Sequence, residues 1–222
     1  VHHGNTYSTE NPYDHEIEYG NDLKKTLPNL IREIIPFGNL FFFNKDITFE
    51  IIKHSLGIET KVMKDCIPEK AQNKSILISR VYVFIWVSII LFSIYINSLL
   101  PIMYFVLPHF YGKTLHKLVA FTQHAGLARN IKDHRLTSRE MYLNPILSFL
   151  YWKMEYHLTH HMFPTVPSYN LDKLHHHIKD QLPRTNTGLI DAYKEIIPAL
   201  LRQSKEEDYF LKKDLPQFDR VF

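Results

Sequence analysis

The uncharged run VYVFIWVSIILFSIYINSLLPIMYFVL, residues 81–107, decides the fold class of this chain. It holds 27 residues without Asp, Glu, Lys, Arg or His, whereas about 20 apolar residues are enough to cross a bilayer as a helix. A buried helix of a soluble protein rarely stays apolar for so long. The run lies in the middle of the chain, so it is not a signal peptide. We therefore predict an integral membrane protein.

A polar turn divides this apolar run. The stretch Asn97-Ser98-Leu99-Leu100-Pro101 places polar side chains and a proline in its middle, and such residues interrupt helices. We predict a first crossing helix at about 76–96 and a second helix at about 99–120, which becomes amphipathic towards its end. Basic residues flank both ends of this pair, so the positive-inside rule predicts that both flanking portions are cytoplasmic.

The predicted fold is all-α, an integral membrane helical hairpin with a cytoplasmic helical cap. Its three parts are a cytoplasmic or interfacial helical region at 1–75, the transmembrane hairpin at 76–120 and the cytoplasmic cap at 121–222. Within the first part, 27–56 has the mixed apolar pattern of an interfacial helix pair or of ordinary packed helices. Within the cap, Pro164 and Pro167 precede helices that we expect at 171–178 and 192–201.

Composition excludes several classes of site. The 26 Lys and Arg nearly balance the 23 Asp and Glu, and no dense basic run appears, so nothing favours binding to nucleic acid. The single cysteine, Cys66, excludes an internal disulfide and a cysteine-based zinc or iron–sulfur site. Only seven glycines occur and none forms a phosphate loop, which argues against a nucleotide cofactor. A metal in this chain must be held by histidine and carboxylate.

Histidines cluster in Tyr156-His157-Leu158-Thr159-His160-His161, an HxxHH pattern. Positions i, i+3 and i+4 share one face of a helix, so three imidazoles would point into one small volume. A second pair, His2 and His3, opens the chain, and His124 follows the apolar region. Imidazoles without a nearby cysteine suit iron, copper or zinc, and this set is larger than one zinc needs. The pattern predicts a metal site.

The remaining histidines are expected to be ordinary surface or core residues. Isolated histidines of this kind are His15, His54, His109 and His116. The run His175-His176-His177 follows Leu171 and Leu174 on an amphipathic pattern, and we interpret it as the solvated edge of a helix.

The motifs together resemble the membrane fatty acid desaturase and hydroxylase superfamily, and most closely its rhizopine-oxygenase-like branch. The stretches that carry the resemblance are Thr122-Gln123-His124-Ala125-Gly126-Leu127, Asp133-His134-Arg135, Asn144-Pro145, and Tyr151 to Pro167 with the HxxHH cluster inside it. His2-His3-Gly4-Asn5-Thr6, with Pro12 and Asp14, is similar to the end of the family's middle histidine box. The family's earlier helices and first box would precede Val1, so we expect an N-terminally truncated fragment.

The resemblance implies two non-haem irons, held by histidine boxes on cytoplasmic helices, with O2 as co-substrate. The ligands that it places on this chain are His2, His3, His124, His157, His160 and His161. The family uses more than these for two irons, so this stretch alone is expected to bind metal incompletely.

Further residues are expected around the ligands. The candidates to orient the rings are Asp133, Asn144 and Glu155, each of which has an ordinary surface or capping role as the alternative, together with His134. Tyr151, Trp152 and Tyr156 are placed near the ligands as candidates to line a substrate channel, although aromatic residues at helical spacing are more often core.

The resemblance implies a membrane-bound enzyme that uses O2 to hydroxylate, demethylate or desaturate an aliphatic or lipid-like substrate. The chain has no flavin, nicotinamide or iron–sulfur motif, so electrons would come from a ferredoxin or Rieske-type protein, which Lys132, Arg135 and Arg139 would steer. The expected location is a membrane, such as the bacterial inner membrane, with the site on the cytoplasmic face.

Alternatives belong to the same and to other classes. A fatty acid desaturase proper, acting in lipid metabolism, shares the first hydrogen abstraction. A zinc transporter or sensor would need ionisable groups along its membrane path, and residues 81–107 have none. A zinc-dependent membrane hydrolase needs fewer histidines than the chain supplies.

Overall fold

A computed structural model describes residues 2–6, 8, 14, 27–28, 31, 35, 47–206 and 208–216. The α-helices within these residues are α1 (Ile47–Ser55), α2 (Lys61–Cys66), α3 (Glu69–Tyr95), α4 (Pro108–Tyr111), α5 (Lys113–Ala120), α6 (His134–Thr137), α7 (Pro145–Leu150), α8 (His157–Met162), α9 (Leu171–Ile178) and α10 (Leu189–Gln203). Shorter 3-10 turns lie at His2–Gly4, Phe121–Gln123, Ser168–Asn170 and Lys179–Gln181, and a π-helical turn lies at Ile102–Val106. The described residues contain no strand, so the all-α prediction is confirmed.

The chain divides into two compact units. Pro28–Lys117 forms one, which we call the apolar unit, and Val1–Leu27 together with Leu118–Phe222 forms the other, which we call the histidine unit. Our three-part division remains a prediction. Most of the helix pair expected at 27–56, and His15, lie outside the described residues.

Helix α3 is the described helix that is long and apolar enough to cross a membrane. It has 27 residues, and its apolar side chains face outward, with Phe84 71% exposed. The predicted helix is present, but it begins at Glu69 instead of about 76, because the polar residues after Pro68 are good helix formers. α1 packs along α3, and Arg80 Nε donates to the carbonyl of Ser55 at 3.0 Å.

The chain after α3 is helical but interrupted. Asn97 adopts a left-handed conformation at φ 50°, which turns the chain after the helix ends. Pro108 has no N–H, and just before it the amide of Leu107 donates to Ile102 instead of Met103, which forms the π turn. The freed carbonyl of Met103 accepts from the Tyr111 hydroxyl at 2.8 Å.

This interruption changes the expected second crossing. The single helix predicted at 99–120 is replaced by the π turn, α4 and α5, and α3 alone among the described helices meets the length and apolarity of a span. The hairpin therefore stays a prediction. The π turn does pack against α3, where Phe84, Phe92 and Phe105 line an apolar groove.

The core of the histidine unit is built on α10. Its buried residues are Ala192, Ile196, Ala199, Leu200 and Gln203, which follow the spacing of one helix face. Other fully buried side chains of this unit include Leu127, Leu158 and Leu171. The helices expected at 171–178 and 192–201 are confirmed as α9 and α10.

Buried Arg139 fixes the loop that carries His124. Its Nη1 donates to the carbonyls of Thr122 at 2.5 Å and Ala125 at 3.0 Å, on either side of that histidine. Its backbone amide donates to the carbonyl of Gln123 at 2.8 Å. Arg139 is 3% exposed, so a docked partner protein would not contact it directly, and its expected role in steering an electron donor remains a prediction.

We predict that Gly126→Ala destabilises the protein more than Gly57→Ala. Both glycines have positive φ, at 78° and 79°, which costs an alanine about 1–2 kcal/mol. At Gly126 a Cβ would also lie 3.0 Å from the Cβ of Ala199 on α10, whereas at Gly57 it meets nothing within 4 Å. The further loss in the free energy of unfolding is expected to be about 1 kcal/mol or more, measured by thermal denaturation in detergent micelles. Equal losses in the two variants would contradict close packing at Gly126.

Candidate metal centre

Helix α8 brings the HxxHH histidines onto one short helical segment. It starts after Tyr156 and ends at Met162. His157 and His161 are buried, at 6% and 2% exposure, while His160 is half-buried. The expected placement of this motif on a helix is confirmed.

Four histidines from distant parts of the sequence converge. They form a group that we call the histidine quartet: His2, His124, His157 and His161. One ring nitrogen from each lies within 4.8 Å of those of the other three. Nε2 of His157 lies 2.9 Å from Nε2 of His124 and 2.9 Å from Nε2 of His161.

The Nδ1 atoms of three quartet rings point outward to fixed partners. The pairs are His2 Nδ1 with Asp14 Oδ2 at 2.8 Å, His124 Nδ1 with the Thr137 carbonyl at 2.8 Å, and His161 Nδ1 with Thr6 Oγ1 at 2.9 Å. A carboxylate and a carbonyl oxygen only accept, so Nδ1 of His2 and of His124 carries the proton and Nε2 keeps its lone pair. A partner on Nδ1 that sets the tautomer in this way is the usual arrangement of metal-binding histidines.

Burial favours the neutral form of three quartet rings, those of His124, His157 and His161. It lowers the pKa of His124 to about 3 and also lowers the pKa values of His157 and His161, and the other histidines add to this because ring cations would repel one another. Neutral imidazoles are the form that binds metal. The Nε2 atoms of His2 and His124, whose protons lie on Nδ1, can give their lone pairs to a cation in this space. The donor set therefore fits a metal ion.

A second group of histidines lies beside the quartet. The ring centroids of His3 and His160 are 4.6 Å apart, and that of His3 is 5.0 Å from that of His161. The His134 ring lies 5.4 Å from the His161 ring, and its Nδ1 is 3.5 Å from Thr6 Oγ1. All six histidines that we expected as ligands thus lie in one cluster, with His134 next to it.

The other residues expected to orient the rings have different hydrogen-bond partners. Asp133 Oδ1 accepts from the backbone amide of Arg135 at 3.0 Å and its carboxylate pairs with the Arg135 guanidinium. Asn144 Oδ1 accepts from the amide of Leu147 at 2.9 Å and caps α7. The buried carboxylate of Glu155 accepts from the Ser148 hydroxyl. Asp14, Thr6 and the Thr137 carbonyl hold the ring nitrogens instead.

The three aromatic candidates for the substrate channel lie in different surroundings. Tyr151 is buried and its hydroxyl accepts from Gln123 Nε2 at 2.8 Å. Trp152, with φ 57°, is 75% exposed. Tyr156 is half-buried, with its ring 5.0 Å from that of His175. Their place along a channel remains a prediction.

Sequence reasoning did not predict the buried positions of two residues near α8, His175 and Glu140. His175, interpreted there as solvated, is 1% exposed, and that interpretation was wrong because it shares the buried face of α9 with Leu171, four positions earlier. The exposed members of the run are His176 and His177. Glu140 is 4% exposed and pairs with His175. The spacing from Leu171 to His175 was the available signal.

Comparison with known proteins agrees with this site. No curated protein and no solved structure matches the chain. A family model described as fatty acid desaturase matches residues 1–193, which includes the whole cluster of histidines. This family comprises membrane-associated oxidoreductases that act on lipid-like substrates. The chain belongs to the fatty acid desaturase family.

Proposed function

We propose that this protein is a membrane-bound, O2-dependent di-iron oxidoreductase that hydroxylates, demethylates or desaturates an aliphatic or lipid-like substrate. The observation that carries the proposal is the convergence of the histidine quartet, with three of its four Nδ1 atoms anchored outward. Family membership supports iron as the metal, because the family is typically di-iron.

The quartet would hold one iron, and His3 with His160 would begin the site for the second. When bound, the irons would supply the activation of O2 that breaking an unactivated C–H bond requires. The ligands are neutral imidazoles, so they add no negative charge to the metals.

The chain's own residues anchor three of the ligand rings. Asp14, 1% exposed, holds the proton of His2 on Nδ1, and the Thr137 carbonyl does the same for His124. Thr6 engages His161 and lies near His134, so one hydroxyl links two rings. Thr159 is fully buried in α8, and Leu158 is 1% exposed, so the back of this helix is shielded from water.

The reaction type and the partners belong to the proposal. Resemblance to the rhizopine-oxygenase-like branch supports oxygen insertion over desaturation, with a fatty acid desaturase proper as the alternative within the class. Electrons would come from a ferredoxin or Rieske-type protein. Of the basic residues considered for its docking, Lys132 is exposed, while Arg135 pairs with Asp133. We place the site on the cytoplasmic face of a membrane such as the bacterial inner membrane.

We predict that the purified full protein contains about two irons per chain and that His160→Ala abolishes O2-dependent product formation. The alanine removes a ring of the second group without touching the quartet, so iron content is expected to fall by about half. Metal analysis measures the iron content. Product formation is measured as turnover with reduced ferredoxin and a panel of fatty acids, alkanes and methylated polyols. The control is His177→Ala, which removes an exposed ring and is expected to change neither. A fully active iron-free preparation contradicts the proposal, and zinc alone favours a transporter, sensor or hydrolase.

We predict that Asp14→Asn weakens iron binding about 10- to 100-fold. The amide can offer an N–H to His2, which moves the ring proton to Nε2 and removes the lone pair from the centre. Anaerobic titration with Fe²⁺ measures the change. Asp133→Asn is the matched control, because its carboxylate pairs with Arg135, and it is expected to keep the affinity of the unaltered protein. Unchanged affinity in Asp14→Asn would show that Asp14 does not set the tautomer of His2.

A further inference from the structure

Helix α8 begins without a side-chain cap of its own. Its N-cap residue, Tyr156, makes no capping hydrogen bond with its side chain. The first amides of a helix have no partner within the helix, and in a buried segment each needs an acceptor. Thr159, in the first turn, is 0% exposed, so water does not supply that acceptor.

The acceptor comes from Glu140, 19 positions earlier in the chain. Its Oε1 lies 2.6 Å from the amide nitrogen of Thr159. A carboxylate in this position satisfies an otherwise orphaned donor and also interacts favourably with the positive end of the helix. Glu140 therefore acts from a distance as the cap of the helix that carries the HxxHH histidines.

A second contact fixes the carboxylate of Glu140. Its Oε2 lies 2.8 Å from Nδ1 of His175, and both residues are buried, at 4% and 1% exposure. Nε2 of His175 lies 3.1 Å from the hydroxyl of Tyr142. Both carboxylate oxygens are engaged, so the group is held against rotation towards other partners.

The backbone around Glu140 is fixed as well. The carbonyl of Glu140 accepts from the amide of Asn186 at 3.0 Å, and the amide of Tyr142 donates to the carbonyl of Asn186 at 2.8 Å. The amide of Met141 donates to the carbonyl of Glu155 at 3.2 Å, just before α8. The backbone that carries the Glu140 side chain is therefore hydrogen-bonded to the segment that leads into α8.

We propose that Glu140, oriented by His175, is a positioning residue of the metal centre. It touches none of the ligand rings in the hydrogen bonds described above. It acts by fixing the first turn of α8, and with it the direction in which His157, His160 and His161 point. This inference deepens the proposed function and rests on it for the identity of the metal.

The experiment uses the full protein and two readouts, one of which needs no metal. Hydrogen–deuterium exchange of metal-free protein reports the opening of residues 157–162, and anaerobic titration with Fe²⁺ reports affinity. Glu140→Ala is expected to speed exchange in this segment about tenfold or more and to weaken Fe²⁺ binding about tenfold or more. Glu140→Gln keeps an acceptor for Thr159 and offers an N–H to His175, so both readouts are expected to stay within about threefold of the unaltered protein.

The matched control removes a different helix cap, one that lies in the apolar unit. Thr60 Oγ1 accepts from the amide of Met63 and caps α2, so Thr60→Ala is expected to lower stability while leaving both readouts unchanged. Because His175 acts through Glu140, the double variant Glu140→Ala/His175→Ala is expected to be no worse than Glu140→Ala. If Glu140→Ala does not fold, His175→Ala takes its place, with an expected loss of about threefold in Fe²⁺ affinity.

Three results would overturn the positioning role. The first is unchanged exchange and unchanged Fe²⁺ affinity in Glu140→Ala, or in His175→Ala where that variant replaces it. The second is a loss of protection and affinity in Glu140→Gln equal to that in Glu140→Ala. The third is an equal loss in Thr60→Ala. A protein that binds no Fe²⁺ before any substitution refutes the proposed function instead, and the exchange readout then still decides whether Glu140 fixes α8.

Discussion

The structure of the histidine unit depends on one constraint, which is that buried imidazoles must present lone pairs to a common point. A free imidazole has two nitrogens that exchange roles, so convergence of rings alone does not determine what faces the centre. Asp14 and the Thr137 carbonyl decide it, because each accepts a hydrogen bond from an Nδ1–H group, which leaves Nε2 without a proton. A cluster with the opposite tautomers would have the same shape but would present N–H groups instead of lone pairs to the centre, and would bind a cation more weakly.

That constraint explains why residues so far apart in sequence belong to one unit. The described opening residues and the described residues from Leu118 onwards belong to one compact unit, although the apolar unit of Pro28–Lys117 separates them in sequence. The bond from Thr6 to His161 spans 155 positions, and that from His157 to His124 spans 33. Closing such long loops costs entropy, which burial of the α10 face and of Leu127, Leu158 and Leu171 offsets.

Local patterns predicted the elements, while the partners of the ligands depended on tertiary structure. A long apolar run is a local feature of the sequence, so α3 could be predicted, and the HxxHH spacing predicted a helical face. Pro108 could also be read from the sequence, but the prediction of a single helix at 99–120 did not allow for the interruption that it causes. Asp14 and Thr6 carry no local sign that they will contact rings, since the contact of Asp14 with His2 spans 12 positions and that of Thr6 with His161 spans 155. His175 was misplaced because a run of three polar residues concealed one position on a buried face.

Folding of the histidine unit carries a cost that metal binding can offset. Nδ1 of His157 is buried and has no hydrogen-bond partner in the described structure, while Nε2 of the same ring lies 2.9 Å from Nε2 of His124 and of His161. The unpartnered Nδ1 lowers stability, because a buried polar atom without a partner costs about 1–3 kcal/mol. A cation that binds the Nε2 lone pairs, which only folding brings together, stabilises the folded unit by linkage. Rings held in advance by Asp14, Thr6 and Thr137 do not have to be ordered when the metal arrives, so more of the interaction energy remains for affinity. The metal site and the folding of the histidine unit are therefore coupled through the same hydrogen bonds.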